Sequence, residues 1–213
     1  HSKEELEAEQ KHQMEAKEPP RHICSHREQA PPASPEKGII RLAIDVASDR
    51  VITFDDMIRG PISFQEALLG HIAIARSLDS ALYHFTVTVD DGEMGITHVI
   101  RGEDHISNTP KQILIYEALG MSLPRFAHLP LLLGADRSKL SKRHGATAVS
   151  MYRNDYLSDA LFNFLAGTVF TFSTDILSRD DMVKEFELSR VHTSGAIFDT
   201  QKLNWLNASY VKR

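Results

Sequence analysis

Ile96-Thr97-His98-Val99-Ile100-Arg101-Gly102-Glu103-Asp104-His105 is the stretch whose reading decides the fold. Ile96 to Ile100 is largely apolar, which predicts a strand of a parallel sheet, buried on both faces. Directly after it come charges of both signs. Thr109, Pro110 and Gln112 then stand in the order of an N-cap, a proline at the first helical position and a capping glutamine. Gln112, Ile115, Tyr116 and Leu119 share one helical face, and Gly120 supplies the stop. Residues 96–120 therefore read as strand, loop and helix, half of a βαβ unit, and the fold class as α/β.

Working outward, Leu129-Pro130-Leu131-Leu132-Leu133-Gly134 is apolar and leads into the doubly basic Lys139-Leu140-Ser141-Lys142-Arg143. On the other side, Phe85-Thr86-Val87-Thr88-Val89 has strand propensity, although so short an apolar run also suits a buried helix. Asp90-Asp91-Gly92 reads as a turn. Ile39–Ile44 and Val51–Phe54 read as short strands flanking the turn Ser48-Asp49-Arg50, and Asp55–Gly60 leads to a further strand, Pro61–Phe64. Ser2 to about Ala16 reads as a solvated surface helix opened by a Ser2/Glu5 capping box, and 17–37, with Pro19-Pro20 and Pro31-Pro32, as a connector. From Tyr156 on the pattern is helical: Leu157, Leu161, Phe164 and Leu165 form a stripe, and Asp180–Phe186 and Asp199–Trp205 repeat the style.

Bulk properties narrow the classes. With 213 residues at 42% hydrophobic, the chain can bury a real core. A net charge of −5 gives no global basic excess, so any nucleic-acid contact must come from a local patch. A single cysteine excludes an intramolecular disulfide and fits a reducing compartment. No apolar run approaches the 18 or so residues of a membrane helix. The chain opens on His1-Ser2-Lys3-Glu4, already inside a helical pattern, which reads as part of a longer chain.

Three groups of residues could carry chemistry. Ligands of open α/β sheets bind beyond the carboxyl ends of the strands, where Arg101 to His105 fall. There Arg101 can fork onto a carboxylate and Asp104 can accept ribose hydroxyls. An internal Arg–carboxylate pair that only locks the loop is the alternative. Lys139–Arg143 can bring ammonium groups to a polyphosphate and stabilise charge on a leaving pyrophosphate; a solvated basic turn is the alternative. No Walker-type Gly-x-x-x-x-Gly-Lys-Ser/Thr occurs. His22-x-Cys24-x-His26 has metal-like spacing, with side chains on one side of an extended segment, but three ligands from one segment rarely complete a zinc site.

Taken in order, Tyr83-His84-Phe85, Met94 to Pro110, Phe126-Ala127-His128-Leu129-Pro130 and Lys139–Arg143 resemble the bacterial or organellar glutamyl-tRNA synthetases, and the series from 83 to 145 is specific. The resemblance implies that 1–69 is a β-rich connective insertion that binds the tRNA acceptor end. It implies that 70–150 is the second half of a Rossmann-like class I synthetase catalytic domain and 151–213 a helical stem-contact region. Tyr83 and Arg101 would line a glutamate pocket. Asp104, Leu131 and Leu132 would border the adenosine of ATP. Lys139, Leu140, Ser141, Lys142 and Arg143 would meet its phosphates, with Lys142 and Lys139 catalytic. Cys24 and His26 match half of a zinc site found in some members.

The partners implied are glutamate, ATP with Mg2+ and a glutamate-accepting tRNA, in a cytoplasmic or organellar monomer with no membrane association. Some features depart from the family pattern. The first signature, a His-x-Gly-His turn, and the helical anticodon-binding domain do not occur in these residues, which implies a fragment or a tRNA- or partner-binding module. Ser77-Leu78-Asp79-Ser80-Ala81-Leu82-Tyr83 replaces the usual Ser-Asp-Gly-x-Pro-x-Tyr, and Val169-Phe170 stands where Gly-Trp is usual. A truncated relative that glutamylates a modified tRNA nucleoside is the third reading, against which the long tail after 150 argues.

Overall fold

The computed structural model describes residues 3–18, 20–24, 39–141 and 148–212. Six helices and nine strands alternate among them: α1 (Lys3–Glu15), β1 (Ile40–Leu42), β2 (Val51–Asp56), β3 (Gly60–Gln65), β4 (Ile72–Ser77), β5 (Ser80–Ala81) and α2 (Tyr83–Glu93) come first. They are followed by β6 (His98–Gly102), α3 (Thr109–Leu119), β7 (Arg125–Leu129), β8 (Leu132–Leu133), α4 (Ser158–Val169), α5 (Arg179–Glu185), β9 (Ala196–Ile197) and α6 (Thr200–Val211). The strands form three sheets, ordered β1-β4-β5, β3-β2-β7-β6 and β8-β9. β2 and β7 run parallel with Asp56 opposite Phe126, and β8 and β9 are parallel as well. The α/β class expected from 96–120 holds, but the strand begins at His98 and, standing last in its sheet, is not buried on both faces: Ile96 and Ile100 are exposed. None of the described helices is long and apolar enough to cross a membrane.

The chain divides into two compact units, each discontinuous in sequence. The first comprises residues 1–55, 61–99 and 106–125. In it β1 pairs antiparallel with β4, with Arg41 opposite Ala73 and Leu42 opposite Ile72. The strands either side of Ser48-Asp49-Arg50 thus lie in different sheets rather than forming a hairpin with each other. β2 alternates exposed and buried, sending Ile52, Phe54 and Asp56 inward as its period of two requires. α1 is polar along most of its length but is more than a surface helix. Buried Gln13 exchanges hydrogen bonds with the backbone of Arg21 (2.6 and 3.0 Å), and Glu9 accepts from the Ile23 amide at 2.9 Å. Ser2, the expected cap, lies outside the described residues, as does most of the connector.

Two expectations are corrected in this unit. Phe85–Val89, whose strand propensity left a buried helix as the alternative, is helical, and α2 runs through Asp90-Asp91-Gly92, expected as a turn, to Glu93. Packing of α2 on α3 outweighs the strand preference of Thr86, Val87, Thr88 and Val89. In α3 the residue before the first turn is Asn108, while Thr109 is already helical and fully buried. Residues Ile113 to Tyr116 are all buried, so the helix is covered nearly all round and Leu119, expected on its apolar face, is exposed. Gly120 ends it in the left-handed conformation at φ 66°, as the sequence requires.

The second unit comprises residues 56–60, 100–105 and 126–213. Its helical part packs α4 against α6 and α5. Leu161, Phe164, Leu203 and Leu206 form the buried centre, with Tyr152, Tyr156, Leu165, Ile176 and Phe198 against it. Phe164 meets Phe198 edge-on, ring centroids 4.9 Å apart. Caps explain the helix starts: Ser178 accepts from the Asp181 amide, and Asp199 from those of Gln201 and Lys202. Phe170, standing where a tryptophan is usual, is buried against Phe172 and Phe186, with the Arg190 guanidinium 4.8 Å from its ring centroid. The substitution therefore keeps an aromatic anchor.

Candidate active site

Of the residues expected to carry chemistry, Arg101, Asp104, Leu131, Leu132, Lys139, Leu140 and Ser141 fall in the second unit. Arg101 lies within β6, one residue from its end, and Glu103 opens a 3-10 turn that runs to Asn108. A Cβ on Gly102 would stand 2.5 Å from Asp104 Oδ1, so a larger residue there would make the Asp104 carboxylate swing aside.

Beneath this turn lies a pair that the sequence reading passed over. Asp56 and His128 have fully buried side chains, joined by a 2.6 Å hydrogen bond between His128 Nδ1 and Asp56 Oδ2. Oδ1 of Asp56 accepts from the amides of Ile58 (3.0 Å), Arg59 (3.0 Å) and His128 (3.3 Å). Burial alone would raise the Asp56 pKa, but the bonds from His128 and the three amides outweigh it and hold the carboxyl below its ordinary range. Burial pushes the His128 imidazole down, and the charges of Arg101 and Arg59 add to this. Asp56 pulls the other way without reversing it. The ring is thus neutral near pH 7. It donates from Nδ1 and accepts at Nε2 from Arg101 Nε, 3.2 Å away. The Arg101 guanidinium carbon also lies 6.0 Å from the Phe126 ring centroid.

Arg101 thus donates from Nε to a histidine. The arginine–carboxylate pair anticipated at this strand end exists, but with other partners. Arg59 bonds Glu103, His128 O (3.1 Å) and Thr193 O (3.0 Å), and Glu103 accepts from the Leu131 amide at 3.0 Å. Glu103 thus fixes the start of the Leu131-Leu132 backbone.

From there the chain turns back on itself. Gly134 and Ser138 close a turn through Arg137 at φ 60°, Leu140 N donates to Leu132 O (2.8 Å), and Lys139 bridges antiparallel to Leu133. This hairpin brings Lys139 Nζ to 2.6 Å from Asp104 Oδ2. The Lys139 hydrogen bond and charge hold the Asp104 carboxyl below its ordinary range. Arg101, Asp104, Leu131, Leu132, Lys139, Leu140 and Ser141 all belong to this unit, whereas Lys142 and Arg143 lie outside the described residues.

Tyr83 belongs to the first unit, where it begins α2 and is about half exposed, its ring tilted against His84 at 5.6 Å. The strands leading to it connect through Leu78-Asp79, neither of which takes a positive φ, so the turn forms without the usual glycine. His26 is outside the described residues. His22 Nδ1 is bonded to Glu9 Oε2 at 2.6 Å, and no three described His, Cys, Asp or Glu residues assemble a metal site. The described residues alone therefore do not fit zinc.

Comparison with known proteins then decides the family. The model of the class I tRNA synthetases (E and Q), catalytic domain, matches residues 1–205. The chain belongs to that family. It is 46% identical over 211 residues to the glutamate–tRNA ligase of Thermodesulfovibrio yellowstonii, covering 98% of this chain and 45% of that protein. It is 50% identical over 171 residues to that of Aquifex aeolicus, covering 78% and 36%. A crystal structure of a glutamate tRNA ligase from Elizabethkingia meningosepticum, in complex with its amino acid, superposes with a TM-score of 0.84 at 30% identity, over 100% of this chain and 49% of that one. The chain spans about half the length of these family members or less.

Proposed function

We propose that this chain is the part of a glutamate–tRNA ligase that holds the amino acid and the adenosine side of ATP. The observation that carries the reading is Arg101, near the carboxyl end of a sheet strand and bonded to His128, in a chain of the class I synthetase family. In the reaction, a carboxylate oxygen of glutamate attacks the α-phosphorus of Mg2+–ATP, pyrophosphate leaves, and the glutamyl adenylate forms. A hydroxyl of the tRNA's terminal adenosine then attacks the acyl carbon and AMP leaves.

Arg101 and Tyr83 would bind glutamate. Asp104, Leu131 and Leu132 would border adenosine. Lys139, Leu140, Ser141, Lys142 and Arg143 would surround the phosphates, with Lys142 and Lys139 stabilising charge that develops on them. In this reading 1–69 meets the acceptor end, 70–150 completes the catalytic fold and 151–213 meets the stem of a glutamate-accepting tRNA, in a cytoplasmic monomer.

In a ligase-length protein carrying this sequence, Lys142→Ala should abolish ATP–pyrophosphate exchange by orders of magnitude and leave tRNA binding intact. Retained exchange would sink the role of Lys142. Salt-dependent tRNA binding without exchange in the unmutated protein would favour a binding module instead. Cys24 and His26 would supply half of a zinc site. Metal analysis of that protein should then show zinc that Cys24→Ser loses, and equal zinc in both would refute the assignment.

A further inference from the structure

Glu103 and Asp104 are adjacent carboxylates on one 3-10 turn, and their bonds turn them to different tasks. Asp104 meets Lys139 and is partly exposed. Glu103 gives both oxygens to the protein: Oε1 accepts from the Leu131 amide at 3.0 Å, and Oε2 meets Arg59. Arg59 in turn donates to His128 O (3.1 Å) and Thr193 O (3.0 Å). One ion pair thereby fixes three backbone points of the second unit: near the end of β7, at the start of β8 and on the approach to β9. That approach also presses directly on β8. A Cβ on Gly195 would stand 2.9 Å from Leu131 O and 3.0 Å from Leu133 Cδ1, so any side chain there must push the β8 backbone away. Just beyond, Leu132 pairs with Ala196 and Leu133 with Ile197, and Leu140 N donates to Leu132 O. Leu131 and Leu132 are nonetheless only half-buried, so part of this tightly held strand still meets solvent.

We propose that Glu103, Arg59 and Gly195 are positioning residues for the adenosine of ATP, which fix the Leu131-Leu132 backbone it lies against; the role rests on the nucleotide site proposed above. Main chain cannot change rotamer to follow a ligand, so its placement must come from its neighbours. A base met by main-chain groups is sensitive to that placement, because a hydrogen bond weakens steeply outside about 2.7–3.2 Å. Glu103 anchors the strand by its first amide, Arg59 holds Glu103, and Gly195 admits the chain that packs alongside. Glutamate is assigned to Arg101 and Tyr83 instead, so disturbing β8 should spare it. Arg59 also holds His128 O, beside Arg101, and the test is therefore made at Glu103 and Gly195.

The experiment is ATP–pyrophosphate exchange in a ligase-length protein carrying this sequence, with KM measured separately for ATP and for glutamate. Glu103→Ala should raise KM for ATP by about 10- to 100-fold, the scale of a misplacement of about 1 Å, and KM for glutamate by less than about 3-fold. Glu103→Gln keeps one acceptor where two donors converge, and should fall between Glu103→Ala and wild type. Gly195→Ala removes no bond and adds no charge, yet by displacing Leu131 O it should raise KM for ATP in the same direction.

Folded Glu103→Ala protein with unchanged KM for ATP would overturn the proposal. So would equal rises in both KM values, which mark general loosening rather than a placed strand. Hydrogen exchange checks the anchor itself: a Leu131 amide that stays protected in Glu103→Ala refutes it even where exchange of pyrophosphate is normal. Absence of pyrophosphate exchange from the unmutated protein sinks the nucleotide reading instead, and the adenosine role falls with it.

Discussion

Replacing Arg59 by alanine should destabilise the second unit by about 3 kcal/mol, and the structure shows why. The guanidinium is largely buried, with 18% of its side chain exposed, and ties the Glu103 carboxylate, His128 O and Thr193 O together. A hydrogen bond to a charged group contributes roughly 1.5–3 kcal/mol when one partner is removed. Glu103 keeps the Leu131 amide and is itself 26% exposed, and Thr193 O can be rewetted, so those two losses are largely offset and the bond to buried His128 O sets the scale at about 3 kcal/mol. For a chain of this size, about 3 kcal/mol lowers Tm by roughly 6–12 °C.

Thermal unfolding followed by circular dichroism measures this directly. Arg59→Lys should recover little, because a lysine cannot span three acceptors with a planar fork. In a double-mutant cycle with Glu103→Ala the two losses should be non-additive. Hydrogen exchange gives a finer reading: the Leu131 amide should lose protection in Glu103→Ala more than in Arg59→Ala. A Tm drop below about 2 °C for Arg59→Ala would refute the idea that this side chain clamps the three segments.

The remaining predictions concern the core and pH. Phe164→Ala removes a buried ring that Phe198 meets edge-on, and should cost about 3–5 kcal/mol by urea denaturation; a loss under 1 kcal/mol would mean that the cluster repacks around the gap. His128 is held below its ordinary pKa of 6.5, so below that pH the unfolded chain binds a proton that the folded chain refuses. Stability from this group is therefore complete above 6.5 and falls as pH drops below it, by up to about 1.4 kcal/mol per pH unit. The difference in unfolding free energy between wild type and His128→Gln should shrink over that range, and a pH-independent difference would contradict the buried neutral ring.

Much of the architecture was legible in the residues because local rules carry it. The strand at β2, the glycine stop at Gly120 and the Leu161, Phe164 and Leu165 part of the α4 stripe depend on side-chain period and terminal backbone groups, which neighbours in sequence supply. The ordered motifs from Tyr83 to Lys139 likewise sufficed for the family. α2 was not legible, because five β-favouring residues become helical only through packing on α3. At the site, Arg101 and Asp104 stood out as charges at a strand end, whereas Asp56, Arg59 and His128 did not. The only local cue was an aspartate ahead of an Arg-Gly pair, which equally suits an ordinary turn.

Sequence alone thus determined which side chains could bind a carboxylate, a ribose or phosphates, since that is a matter of donor and acceptor type. Tertiary structure decided what holds them. Asp56 and His128 are 72 residues apart and become partners only because β2 and β7 lie side by side. Only in the buried place this creates does an imidazole stay neutral and turn its lone pair to Arg101. Pairings of that span depend on sheet register and desolvation, and neither leaves a period or a motif in the chain.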